Sequence, residues 1–483
     1  MNYGIRKKIL YLTILGMAGA IPFVFNPFGF FRYEVEKIYL FRLIVSLMFA
    51  GWLVWMGSLK NIRTWLWQWA SEVKFFDVEL WQIFLLAAYG LATTLSISPA
   101  DSFWGLPDRE FGLITVAGLI LFFWLGRGIF NRVRQVESLC LVILIFSSLI
   151  SLYAVLQKFG LEFISDARIV TLGTDKTVIR PLATLGHPNY LGAYLAMVFP
   201  FILFYYARVK KKWLKIIIPL IMIVHLAALY FTLNRGGWLA GMAGILCFLI
   251  FYSIKIKQPK RVAVLSIAML VVIAMFFTGF FGFGGDKRTK DLTIEGGSMY
   301  VRIQEYKYAL TKIIEKPLLG YGPETYMYLA MNREYTEKEL QIDDRLSDRV
   351  HNIFLDMAIN IGLIGLIIFI GIFIKMFSTA WKKIQSEVQG SGRLVYIAAG
   401  SSLIAYLVEV QFHFDTIVTS IFVAVNFILI YANFSKNKLK DADDFQPAKI
   451  SLPVWCLAAI VLIISIYLNI GAMIWNVIGY KWR

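Results

Sequence analysis

The stretch DRVHNIFLDMAINIGLIGLIIFI, from Asp348 to Ile370, sets His351 and Asn352 directly ahead of a long apolar run, and His351 is one of only four histidines in 483 residues. An unperturbed imidazole titrates near pH ~6.5, so it can accept a proton at neutral pH. A histidine at a membrane lip also has a plainer reading, as a polar residue that opens a helix. Here Arg349 and Asn352 flank it, and Arg302 and Arg345 lie in the same outer segment, which favours a reactive site. A second stretch, TLNRGGWLAG, puts Arg235 on a very short turn ahead of Gly236 and Gly237. The glycine pair permits a tight turn and leaves main-chain amides free at a helix start. A guanidinium beside such amides makes an anion site. The competing reading is an interfacial arginine that snorkels towards lipid headgroups.

Two more segments carry unusual polar residues. SISPADSFWGLPDREFGL (96–113) holds Asp101, Asp108 and Arg109, and IRPLATLGHPNYLGAYLA (179–196) holds Arg180, His187 and Asn189. His187, ahead of Pro188-Asn189, reads as a helix cap. His225 lies inside an apolar run and reads as hydrogen-bonded packing, and His413, in VQFHFD, reads as interfacial. Asp343, Asp344 and Asp348 have no rigid ligand spacing, so they read as a solvated charged face and no metal site is expected. Cys140, Cys247 and Cys456 lie in or beside apolar segments, with neither metal-ligand spacing nor a disulfide framework.

The elements that must position these residues follow from composition. The chain is 59% hydrophobic and 16% charged, where soluble domains average about 45–50% apolar and about 25% charged. Apolar runs long enough to cross a hydrocarbon core about 30 Å thick recur from end to end. The fold class is therefore all-α, a polytopic helical membrane protein with about 12–13 transmembrane helices and a large extracytoplasmic loop that contains helices. Unbroken apolar runs exclude a β-barrel, whose strands alternate. Spans are expected at about 9–25, 38–58, 78–97, 111–126, 138–156, 189–207, 215–232, 237–253, 262–283, 353–377, 394–411, 416–434 and 451–475. The net charge of +17 sits in short loops such as Arg6-Lys7-Lys8 and Lys210-Lys211-Lys212, on alternate sides, as the positive-inside rule requires. This distribution argues against a nucleic-acid partner.

With the N-terminus in the cytoplasm, segments 98–110, 157–188, 233–236, 284–352 and 412–415 face outwards. In 284–352, Tyr300, Ile303, Tyr306, Leu310 and Ile313 recur at helical spacing, and Pro317 ends the helix. The charged stretch 332–349 reads as a surface helix or mobile loop, and the whole segment as a lid. Residues 1–434 form the expected transmembrane core, including the 284–352 loop. Residues 435–483 form a cytoplasmic linker plus an additional C-terminal transmembrane helix.

Taken in order, PADSFWGLPDREFGL, TLGHPNYLGAYLAM, NRGGWLAGMAG, VRIQEYKYALTKIIEKPLLGYGPETY and HNIFLDMAINIGLIGL resemble the O-antigen ligase and polymerase family of bacterial membrane glycosyltransferases, over about residues 96–430. The resemblance implies a glycan donor carried on a polyprenyl diphosphate, usually undecaprenyl diphosphate. The acceptor hydroxyl lies on a glycan, lipid or protein, outside the cytoplasmic (inner) membrane. It implies inverting, metal-independent transfer with no cofactor. The family's histidine matches His351, with Asn352 and Leu355 in register, and its two arginines match Arg235 and Arg302. On this reading Arg235 and Arg302 clamp the diphosphate and His351 is the catalytic base. Arg180, Arg349, Arg109 and Asn352 are weaker candidates. The resemblance leans to a ligase, with a polymerase or a protein O-oligosaccharyltransferase as alternatives. From another class, a polysaccharide or lipid transporter would place its charges near the bilayer midplane, as only Arg42 and Glu409 do here.

Overall fold

A computed structural model describes residues 3–29, 31–72, 77–163, 168–172, 176–255, 297–337, 347–386, 391–434 and 451–481, with Lys260, Val264 and Glu339 besides. The helices are α1 (Tyr3–Ala20), α2 (Glu34–Met56), α3 (Leu59–Glu72), α4 (Val78–Thr94), α5 (Pro99–Trp104), α6 (Leu113–Gly126) and α7 (Val133–Lys158). A hairpin of β1 (Arg168–Leu172) and β2 (Lys176–Arg180) follows. Then come α8 (Pro188–Arg208), α9 (Lys212–Phe231), α10 (Arg235–Lys255), α11 (Gly297–Glu315), α12 (Tyr326–Met331), α13 (Ile353–Gln385), α14 (Ser391–Glu409), α15 (Ile417–Tyr431) and α16 (Leu452–Lys481).

The chain is an all-α polytopic membrane protein. Among the described residues seven helices are long and apolar enough to cross a membrane, and α4, α6 and α15 are shorter apolar helices. The expected span 262–283 lies outside the described residues, and so do Asp343, Asp344, Arg345 and most of the charged stretch 332–349. The other expected spans each fall on a helix. Sequence reading missed the short helices α5 and α12 and two further features. Residues 59–72 form an amphipathic helix with Leu66 and Trp67 exposed. Part of the expected 157–188 loop pairs as an antiparallel hairpin, with Arg168 opposite Arg180.

Small residues decide which helices lie at the centre. A side chain at Gly237 of α10 would run into Asn234 and the main chain of Gly192 on α8, and one at Gly244 would meet Ala405 of α14. Ala196, Ala240 and Ala405 close the same seam. Between membrane helices, close backbone approach of this kind replaces the hydrophobic drive that water supplies elsewhere. Accordingly 72% of the apolar stretch of α8 is buried, against 22% for α9 and 17% for α16. The seam sets the start of α8, the start of α10 and the end of α14 side by side.

The first turns of α13 are separated from the rest of the helix. Gly362 has φ 71° and ψ 179°, a region that only glycine adopts readily. The main-chain groups near the break pair with the loop after α11. Leu363 N–H donates to Pro317 O (2.7 Å), Tyr321 N–H to Ile359 O (2.8 Å) and Gly322 N–H to Asn360 O (3.0 Å). Thus KPLLGYG and NIGLIGL, far apart in sequence, form one joint.

The last helix runs antiparallel to α2. Its start is tied where Ser451 N–H donates to Gly57 O (2.6 Å). Near its end, Asn476 Nδ2 donates to Glu36 Oε1 (2.8 Å) and to Phe31 O (3.2 Å). Ala50, Leu53, Val454 and Ala458 pack between.

Candidate active site

The segment Val410–Thr416, between α14 and α15, is the hub on which the candidate residues converge. It is anchored to α13 where Ile353 N–H donates to Val410 O (2.9 Å). Asn352 caps α13, its Oδ1 accepting from Phe354 N–H (3.0 Å) and Leu355 N–H (3.3 Å), while its Nδ2 donates to Gln411 Oε1 (3.3 Å). Asn352 therefore acts as a cap and a strap.

His351 precedes that cap in the left-handed region, at φ 56°. Its Nδ1 lies 3.0 Å from Arg349 O. A carbonyl only accepts, so in the neutral ring Nδ1 carries the proton and Nε2 presents a lone pair. The ring is three-quarters buried, with centroids 5.7 Å from His413 and 5.4 Å from Phe414. His413 in turn lies 6.0 Å from His187. Three of the chain's four histidines thus gather here, which their separate readings did not anticipate. Burial holds the His413 imidazole well below its usual range, and the neighbouring His351, His187 and Arg302 push the same way. His413 is a neutral neighbour and not a proton carrier at neutral pH.

His187 is the N-cap of α8, accepting from Asn189 N–H (3.1 Å) on Nδ1, as its sequence context suggested. His225 bonds to Ile221 O and Ser147 Oγ, both at 2.9 Å, within the helix bundle, again as read.

The arginines separate by environment. Arg235 opens α10, half-buried, and the next residue, Gly236, lies against Phe412 of the hub. The residue before it, Asn234, donates to Glu409 Oε1 (3.2 Å) and Asn189 O (3.2 Å), which fixes the turn against α14 and α8. Arg302 is half-buried on α11, and its charge acts on His413 and Tyr306. Arg349, by contrast, is buried and pairs with two carboxylates, Glu324 and Asp356, the second at 2.7 Å. Asn360 Nδ2 donates to the same Asp356 (3.0 Å). Arg109 pairs with Asp348 and lies 3.9 Å over the Phe414 ring. Arg180 donates from Nε to Thr232 O (2.8 Å) and from a terminal nitrogen to Asn189 Oδ1 (3.2 Å). It braces the turn that carries Arg235. Arg109, Arg180 and Arg349 are tied into internal contacts, and Arg235 and Arg302 sit on the elements that border the histidines.

Sequence reading missed Glu305, Tyr306, Glu324, Asp356, Gln411 and Phe414. One signal was legible: Arg302, Glu305 and Tyr306 fall at i, i+3 and i+4 and therefore share a helix face. Glu324, Asp356 and Phe414 gave none, because their roles depend on long-range pairing.

Backbone strain marks the same end of the bundle. Among the described residues, the non-glycine residues at positive φ are Glu110, Ala183, Leu233, Glu324 and His351. Glu110 adjoins Arg109, Leu233 lies two residues before Arg235, Glu324 pairs with Arg349, and the fourth is His351 itself. Such strain, about 1–3 kcal/mol per residue, persists only where surroundings enforce it and concentrates at functional sites.

Among the described residues no group of three or more His, Cys, Asp or Glu is arranged to hold a metal ion. No curated protein matches the chain. The O-antigen ligase family model matches residues 220–370, a stretch that includes Arg235, Arg302, Arg349, His351 and Asn352. That match supports the chain's membership of the O-antigen ligase/polymerase family.

Proposed function

We propose that the chain is a glycosyltransferase that moves a glycan from a polyprenyl diphosphate, such as undecaprenyl diphosphate, to an acceptor hydroxyl at the outer face of the inner membrane. Family membership supports the coarser activity, O-antigen ligase/polymerase-like transfer from a lipid-linked glycan in a membrane. One observation carries the finer reading. The Arg235 turn, the Arg302 helix and His351 all border the hub Val410–Thr416, although they come from three distant parts of the chain.

The chemistry follows from those groups. His351 Nε2, unprotonated in the neutral ring, takes the proton of the acceptor hydroxyl as its oxygen attacks the anomeric carbon. The leaving diphosphate acquires charge as its bond to that carbon breaks. Arg235, with the amides at the start of α10, and Arg302 offer fixed positive groups to it. Attack from the face opposite the leaving group inverts the anomeric centre. Arg109, Arg180 and Arg349 act by holding the frame. The resemblance favours a ligase. A polymerase or a protein O-oligosaccharyltransferase would use the same clamp and base with another acceptor, and a transporter would form no glycosidic bond.

The test is transfer of a fluorescent polyprenyl-diphosphate glycan in detergent, with products identified by mass spectrometry. His351→Ala should insert normally and lose about 10²–10⁴-fold in rate. Arg235→Lys should lose turnover as well, because a point charge does not reproduce the planar fork. Full turnover in both variants would remove the base and the clamp together.

A further inference from the structure

Glu305 is a buried carboxylate beside His351 that the transfer described above does not use. It lies on α11, and its side chain is 5% exposed, with Oε2 3.6 Å from His351 Nδ1. That oxygen is inaccessible and makes no hydrogen bond among the described residues. Leaving a buried acceptor unsatisfied costs about 1–3 kcal/mol, and more when it is charged. The histidine beside it is positioned to supply a partner. Nδ1–H donates to Arg349 O at 3.0 Å, and Glu305 Oε2 lies 3.6 Å from the same nitrogen. The same helix grips the histidine's backbone, since Tyr306 Oη–H donates to His351 O (3.2 Å). His351 is thus held on its Nδ1 side in a left-handed conformation, leaving Nε2 as the edge that can meet a hydroxyl.

We propose that Glu305 is a positioning residue for His351, keeping Nε2 directed at the acceptor and stabilising the imidazolium that transfer creates. This rests on the reading of His351 as the base. In the step, the acceptor O–H proton moves to Nε2 and the oxygen's electron pair forms the new bond to the anomeric carbon. The bond from that carbon to the diphosphate oxygen breaks, and its electrons leave with the diphosphate. The ring is then a cation 3.6 Å from a carboxylate. Charged and titratable groups face this pair from each side. Arg302 and Tyr306 come from α11 and His413 from the hub, while Arg349 meets the ring through its main-chain carbonyl, its guanidinium being held by Glu324 and Asp356. Tyr326 and Tyr335 face Glu305 itself.

The test is Glu305→Gln, which keeps shape and removes charge, in the full chain in detergent. The expected result is a kcat lower by about tenfold or more with donor KM little changed, since a carboxylate behind an imidazole acts on the charged ring and not on binding. The acid limb of the pH–rate profile should move to lower pH, because the negative charge that favours the imidazolium is gone. Loss of packing alone would lower the amplitude without moving the limb. Glu305→Asp should restore part of kcat and the wild-type limb, and serves as the reading if the glutamine variant fails to fold. In a His351→Ala background the Glu305→Gln effect should vanish. An inactive His351→Ala combined with wild-type rate and pH limb in Glu305→Gln overturns the positioning role and leaves the base in place. An active His351→Ala overturns the base, and the positioning role with it.

Discussion

Arg349 makes clear how an arginine near the candidate site can be structural. Its guanidinium joins Glu324 and Asp356, whose side chains are 1% and 0% exposed. Removing it would leave two buried carboxylates without their counter-ion, a loss of about 3–5 kcal/mol. Arg349→Met should therefore lower the melting temperature sharply in detergent. Arg235→Lys should impair turnover with little change in melting, and equal melting losses in the two would erase the distinction. Sequence ranked Arg235 above Arg349, from the glycine pair and the resemblance, but gave no sign of the carboxylates that hold Arg349. What separates them is the position of Glu324 and Asp356, set by long-range folding. His351 was legible for a different reason: it stands beside its own cap and directly ahead of an apolar run. The hub residue Phe414, stacked under Arg109, carries no local sequence signature.

At the scale of elements, helix starts and breaks do most of the positioning. The starts of α8, α10 and α13 were readable from His187-Pro188, Arg235-Gly236-Gly237 and Asn352, since caps and glycine pairs act locally. The end of α11 was readable from Pro317. The break in α13 was not, because NIGLIGL looks like uninterrupted span. The break exists only because KPLLGYG offers main-chain partners for Ile359, Asn360 and Leu363. Gly362→Ala should cost about 1–3 kcal/mol for the forbidden backbone region alone, and more from the Leu318 main chain that its Cβ would strike. Thermal unfolding in detergent checks the loss. Transfer should fall too, since the turn bearing His351 depends on that pairing. A stable, fully active alanine variant would show that the joint does not position the histidine. The hairpin at β1–β2 and the amphipathic α3 were missed because each lies between stronger apolar runs.

At the scale of the whole molecule, the bundle has a packed seam of α8, α10 and α14 and a loosely covered rim that includes α16. We take residues 1–434 as the core that performs transfer and 435–483 as an addition. Deleting the addition should leave transfer in place but lower the melting temperature. Glu36 would lose the hydrogen bond from Asn476 and keep the one from Asn26, and Ala50 and Leu53 would lose the packing of Val454 and Ala458. Loss of transfer on truncation would make the last helix part of the core. The Gly362 joint has a mechanical consequence at this scale. Residues 363–385 are about 34 Å long at 1.5 Å per residue, longer than an average hydrocarbon core of about 30 Å, so this rod is long enough to span with some tilt. A break placed below the histidine and held by main-chain pairing to the loop after α11 would keep a change in that tilt from reaching the imidazole. Turnover in phosphatidylcholine nanodiscs of graded chain length should accordingly stay level in the native protein and become thickness-sensitive once Gly362 is replaced.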